Sequence, residues 1–294
     1  ADSTRWYMIS NAQPWDNLKF NELGVAEVQR KFFGTAYNIY SFFALYANID
    51  GFKFLEKTIS VCERPEIDQW ILSELNSLIK RVENNYDSYE PTTVARLIQS
   101  FVIDKLSNWY VRLSRRRFWK GEYNDDKVSA YQTLYECLEK IALISCPIAP
   151  FFMDRLFQDL NSVTKKISAS SVHLADFPIS NNKFINKTLE RRMEMAQNIT
   201  SLVLSLRKKA GIRVRQPLQK ILIPILNTKT EEDIKNIGFI LRSELNVKEV
   251  VCLNENSNVL LKEIKPRFSV LGPKFGKDMK FIANKISQFT KIDI

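Results

Sequence analysis

The stretch KLSNWYVRLSRRRFWK, residues 105–120, carries a lysine at each end, four arginines, four aromatic rings and no carboxylate. Guanidinium forks hold phosphate oxygens and exposed rings stack bases, so the combination suits nucleic-acid recognition. A run of positive charge is also what an ordinary solvated face looks like. Geometry separates the two readings. At about 100° per residue, Lys105, Asn108, Arg112, Arg115, Arg116 and Trp119 fall within an arc of about 100°. Val102, Leu106, Trp109 and Leu113 fill the neighbouring sector, with Tyr110 at its edge. That sector is the expected core face, which makes Trp109 a core residue. A solvated face mixes Glu with Lys, whereas these arginines repel one another unless an anion answers them. In the earlier turns the basic sector is occupied by Val94, Leu97, Ile98 and Phe101. The helix is therefore expected to start buried and to project one end outward.

The elements that must carry this face follow from composition and periodicity. With 294 residues, 45% apolar and 26% charged, the chain has the material for two or three compact units. Only 8 glycines point to long helices. A formal charge of +10 and a pI near 9.3 favour a polyanionic partner, nucleic acid or an acidic membrane surface. No apolar run reaches the roughly 18 residues of a membrane span, and the N-terminus lacks the order of a signal peptide, so the protein is expected in the cytoplasm. Cys62, Cys137, Cys146 and Cys252 lack Cys-x-x-Cys spacing; neither a disulfide nor a metal site is expected.

The first segment, ADSTRWYMIS, reads as the middle of an element in a longer chain, because Trp6 and Ile9 need cover. Three- and four-residue apolar steps then predict helices over about Gly24–Ala47, from Pro65 through Tyr86, over Pro91 to about Arg117, and from Asp125 to the break at CPIAP. A shorter helix carries Phe152, Leu156 and Leu160. Short connections make these a bundle, expected to fold independently over residues 56–180. A last long helix over about Lys187–Lys209, apolar at Leu189, Met193, Ile199, Leu202, Val203 and Leu206, precedes strand-like runs at LQKILIPIL, VKEVVCL and NVLLKEI. The predicted fold class is mainly α: a helical bundle followed by a small α+β region.

Together with STRWYMISNAQPWDNLKF, FFALYANIDGF, SVHLADFP, RKKAGIRVRQPL and LGPKFGK, the segment LSNWYVRLSRRRFW resembles isoleucyl-tRNA synthetase, a class I aminoacyl-tRNA synthetase, in order and over essentially the whole chain. The resemblance implies that residues 1–55 end the catalytic half and its stem-contact region. Residues 56–180 would be the helical anticodon-binding domain, and 181–294 a C-terminal junction region, itself truncated. The family activates isoleucine with ATP and Mg through a His-Ile-Gly-His signature and a Lys-Met-Ser-Lys-Ser loop, and neither occurs here. His173, the only histidine, is expected to be structural. The editing domain is also missing. The chain is thus expected to bind isoleucine tRNA as a monomer, next to the absent catalytic domain, without cofactor or catalysis of its own.

In that setting Asn108, Arg112, Arg116 and Trp119 are assigned to bases or backbone of the anticodon, and Lys105, Arg115 and Lys120 to phosphates. A second acid-free cluster holds Arg207, Lys208, Lys209, Arg213 and Arg215, of which Arg213 and Arg215 join the tRNA-binding set. Its alternative is cationic capping of a helix C-terminus. Arg5 and Trp6 are expected to brace the catalytic domain or to touch tRNA. The competing class is a stand-alone RNA-binding or scaffold module.

Overall fold

The computed structural model describes residues 1–225, 228–253 and 266–287. Its contacts divide into two compact units, Ala1–Glu190 and Arg191–Ile294.

The first unit is helical. Helix α1 (Asp2–Asn11) is followed by α2 (Glu22–Val28), which runs through a π-helical turn (Gln29–Phe33) into α3 (Gly34–Asp50). Gly24 lets α2 lie against α1, since a Cβ there would stand 2.3 Å from the Tyr7 ring. Gly51 stops α3 in a left-handed conformation, φ 71°, that glycine adopts without strain. Helix α4 (Glu66–Asp87) follows Pro65, with Glu66 and Asp68 at its positive end. The next helix comprises α5 (Pro91–Ser100), an eleven-residue π-helical segment (Phe101–Val111) and α6 (Arg112–Trp119). Helix α7 (Asp125–Ser145) starts at Asn124, whose side chain accepts the Lys127 N–H at 3.0 Å. It is buried almost all round, as the axis of a bundle must be. Pro150 opens α8 (Pro150–Thr164) at a position that needs no N–H.

Residues 1–50 are part of this bundle. Trp6 is wholly buried, stacked on Phe32 at 4.0 Å between centroids, and its indole N–H donates to Gln99 on α5 at 3.2 Å. Arg5 donates to the Ile148 carbonyl at 3.1 Å. The expected outward role of Trp6 is therefore replaced by an inward one, while Arg5 stays exposed. Arg96 donates to the Ser10 and Asn11 carbonyls at 2.8 and 3.1 Å, closing the C-terminus of α1. Asp50 accepts from Lys127 at 3.0 Å and from the Tyr131 hydroxyl at 2.6 Å. The bundle has no seam at residue 56. At its other end it reaches Glu190, which accepts from the Ser73 and Ser77 hydroxyls and from Lys187, each at 2.6 Å.

Helix α9 (Lys187–Lys209) passes out of the first unit after Glu190. In the second unit, strands β1 (Leu218–Pro224) and β2 (Val247–Leu253) pair in parallel, Leu218 opposite Val247, joined through helix α10 (Thr228–Leu245). Parallel strands need such a crossover, and α10 buries Ile234, Ile237, Leu241 and Leu245. The buried line of α9 runs Met193, Ala196, Thr200 and Arg207, and Leu202 and Leu206, expected in the core, are exposed. Helices α11 (Phe268–Phe275) and α12 (Met279–Ser287) follow. The third expected strand, NVLLKEI, lies outside the described residues.

A candidate tRNA-binding face on the π-interrupted helix

From Val94 to Phe118 every fourth residue is buried: Val94, Ile98, Val102, Leu106, Tyr110, Ser114 and Phe118 each keep 1% or less of their surface. Four residues exceed one α-helical turn, so such a line winds round a regular α-helix. The π segment, bonded i→i+5, turns less per residue and winds it back. The core line thus holds as far as Phe118, which meets the edges of Phe42 and Tyr131 at 5.0 and 5.1 Å. This corrects the expectation of an end projecting from the bundle: α6 stays packed along its whole length, with one side buried and the other in solvent.

The solvent side has its own four-residue row. Ser100, Asp104, Asn108, Arg112, Arg116 and Lys120 are all exposed, flanked by Arg115 and by Trp119 with 52% of its surface open. Asp104, bonded to the Ser100 hydroxyl at 3.0 Å, marks the acidic end. Beyond it the row is cationic. Among the described residues Arg115, Arg116 and Lys120 make no ion pair and Asn108 no side-chain hydrogen bond. Arg112 lies over the buried Trp109 ring, 5.5 Å from its centroid, so Trp109 serves as a platform for a guanidinium.

Lys105 does not join the row. The π segment turns it toward α4, where its ammonium meets Glu74 at 2.5 Å. Burial pushes the Glu74 carboxyl above its ordinary range, with Lys105 pulling the other way. The assignment of Lys105 to a phosphate is therefore withdrawn.

Arg117 is the arginine that sequence reasoning passed over. It lies about 180° from Asn108 at 100° per residue, which is the signal that was available. Its fork grips Asp68 at 2.7 and 2.8 Å, and its Nε donates to Asp126 at 3.1 Å. Asp68 has no exposed surface and also accepts from Tyr110 at 2.8 Å and Ser129 at 2.5 Å. Burial works against the Arg117 charge, but Asp68 outweighs it and holds the guanidinium more firmly protonated than in water. Burial, reinforced by Asp68, likewise pushes the Tyr110 hydroxyl far above its ordinary value.

In the second unit, the cationic capping foreseen for the basic cluster is done by Arg207, and for α10. It donates to the Leu245 and Asn246 carbonyls at 2.8 and 3.3 Å and to those of Arg213 and Gln216 at 3.1 and 3.0 Å. Asn246, left-handed at φ 49°, donates to the Val214 and Arg215 carbonyls. The loop is stapled by its backbone, and Arg213 and Arg215 are left exposed. His173 is exposed on a 3₁₀ turn.

Residues 68–222, more than half of the chain, match the family described as the anticodon-binding domain of tRNA ligase. The chain belongs to that family. The match begins at Asp68, the anchor of Arg117, and runs past residue 180 through α9 into β1. Curated relatives extend the likeness along the whole chain. The isoleucine–tRNA ligase of Cytophaga hutchinsonii is 56% identical over 293 residues, all of this chain and 26% of the relative. That of Bacteroides fragilis is 54% identical over 291 residues, 99% and 26%, and that of Clostridium kluyveri 42% over 294 residues, 100% and 28%. The chain therefore spans about a quarter of the length of these relatives, and the resemblance to isoleucyl-tRNA synthetase read from its motifs holds throughout.

Proposed function

We propose that this chain is the part of an isoleucine–tRNA ligase that reads the anticodon of isoleucine tRNA, while the parent enzyme joins isoleucine to that tRNA with ATP. What carries the reading is the exposed row Asn108, Arg112, Arg116 and Lys120 with Arg115 and Trp119, built on a buried helix inside the family-matched span. An amino-acid pocket separates side chains differing by one methylene by only about 10- to 200-fold and carries no information about the tRNA. The tRNA has to be read elsewhere. Unpaired anticodon bases can stack on the exposed Trp119 ring and hydrogen-bond to Asn108, Arg112 and Arg116, while Arg115 and Lys120 hold phosphates. Arg213 and Arg215 are assigned to further phosphates, on a loop that Arg207 keeps in shape.

The remaining assignments follow the same reading. The chain works as a monomer in the cytoplasm, with residues 1–55 leading from the catalytic half while packing into the helix bundle, and 181–294 forming the junction region. It carries neither nucleotide-binding signature, and no group of three or more His, Cys, Asp or Glu among the described residues could hold a metal. On this reading ATP and Mg are assigned to the rest of the parent and enter no step here. The likeness to isoleucine–tRNA ligases along the whole chain favours this over a stand-alone RNA-binding module.

Titration with isoleucine tRNA and an unrelated tRNA tests the proposal. The cognate should bind more tightly, and the affinity of both should fall with salt. Equal affinity for the two would refute it.

A further inference from the structure

Resting on that reading, we propose that Arg117 is a positioning residue for anticodon recognition: clamped on the buried Asp68, it sets where Arg116 and Trp119 stand without touching RNA itself. The clamp is saturated. Four donors, two from Arg117 and one each from Tyr110 and Ser129, occupy the acceptor positions of one carboxylate. They join α4, the π segment, α6 and α7 at a single point, and the Arg117 fork also takes the Asp126 carbonyl at 2.8 Å.

Two features of α6 create the need for such a clamp. It follows eleven residues of π-helix, which give it a rotational register different from the one continuous α-helical bonding would impose. Its last turns are also crowded with like charge and end at Trp119, before Gly121 turns the chain at φ 83°. Arg117 stands next to Arg116 and two residues before Trp119, so whatever fixes its direction fixes theirs. A bidentate guanidinium fixes direction as well as distance, which an ammonium on the same carboxylate cannot do. Base reading depends on direction, because hydrogen bonds weaken steeply off axis, whereas phosphate attraction does not.

The test uses the whole 294-residue chain, titrated with isoleucine tRNA and an unrelated tRNA at several salt concentrations. Arg117→Lys should narrow the ratio of cognate to non-cognate affinity about tenfold, the scale of one charge-assisted hydrogen bond, and leave the log-log salt slope at the parental value. Tyr110→Phe, which keeps the ring and removes one of the four donors, should narrow the ratio less and in the same direction. It carries the test should Arg117→Lys fail to melt cooperatively. A parental ratio in a folded variant overturns the proposal. So does a salt slope flattened by about 0.7, which would make Arg117 a phosphate contact. Arg116→Ala separates the two levels. If it loses discrimination and Arg117→Lys does not, positioning alone falls; if the parent chain does not discriminate, the anticodon reading falls and takes the clamp's role with it.

Discussion

Replacing Trp6 by Ala is expected to destabilise the whole first unit, because the helix bundle includes the N-terminal helix. Trp6 has no exposed surface, stacks on Phe32, meets the edge of Phe33 at 5.9 Å and bonds Gln99 across to α5. Truncating a buried aromatic of this size costs about 3–5 kcal/mol, and the Gln99 carbonyl left without its donor argues for the upper half of that range. In a unit the size of Ala1–Glu190, each kcal/mol lowers the midpoint by roughly 2–4 °C, so the thermal transition should fall by roughly 6–20 °C. Circular dichroism melts of the parent and Trp6→Ala chains give the comparison. A chain shortened to residues 56–190 should fare worse, since Lys127 and Tyr131 lose Asp50, Phe118 loses Phe42, and α5 loses the cover of α1. A parental midpoint for Trp6→Ala, or a cooperative parental-like melt of the shortened chain, would refute this reasoning and restore residue 56 as a boundary.

Two neighbouring carboxylates should respond to pH in opposite senses. Burial raises the Glu74 pKa above its unfolded value, so its stabilising contribution is full below about pH 4.3 and is lost as pH rises through the folded pKa. At Glu190 burial acts upward too, but Lys187, Ser73 and Ser77 prevail and lower the pKa, so its contribution is present above about pH 4.3 and lost as pH falls through the folded value. Relative to the parent, Glu74→Gln should therefore gain stability and Glu190→Gln lose it as pH rises from about 3 to 7; urea midpoints with slopes of the same sign would refute the pair. Arg207→Ala should cost the second unit about 2–3 kcal/mol and speed amide exchange over residues 211–216, since four carbonyls lose a buried cation. Unchanged exchange there would show that Asn246 alone holds the loop. The chain should support no isoleucine-dependent ATP–pyrophosphate exchange, and exchange above background in protein freed of host synthetase would contradict that.

The sequence carried the helices and the basic face because both depend on spacing along one element. Asn108, Arg112, Arg115, Arg116 and Trp119 share a face by α-helical arithmetic and stay exposed in the structure. Lys105 fails that arithmetic because the π segment turns it onto Glu74. The warning was present in the strict four-residue spacing from Val94 to Phe118, which no uniform α-helix can keep against one core. Arg117 pointed away from the other arginines, but its partner Asp68 lies 49 residues away, and pairing over such a distance is not written in any local pattern. Trp6 was misread for the same reason: its partners Phe32 and Gln99 lie on other elements of the bundle. The boundary expected near residue 56 came from the resemblance, and contacts such as those of Asp50 with Lys127 and Tyr131 cross it.

The most direct measurement of the central claim compares Trp119→Ala with Arg115→Ala in tRNA titrations across a range of salt. If the exposed row reads the anticodon, Trp119→Ala should cost on the order of 1–3 kcal/mol of cognate binding with the salt slope nearly unchanged. Arg115→Ala should weaken cognate and non-cognate tRNA alike and flatten the slope by about 0.7–0.9. If both variants bind each tRNA as the parent does, at every salt concentration, the face is merely solvated and the tRNA is read elsewhere.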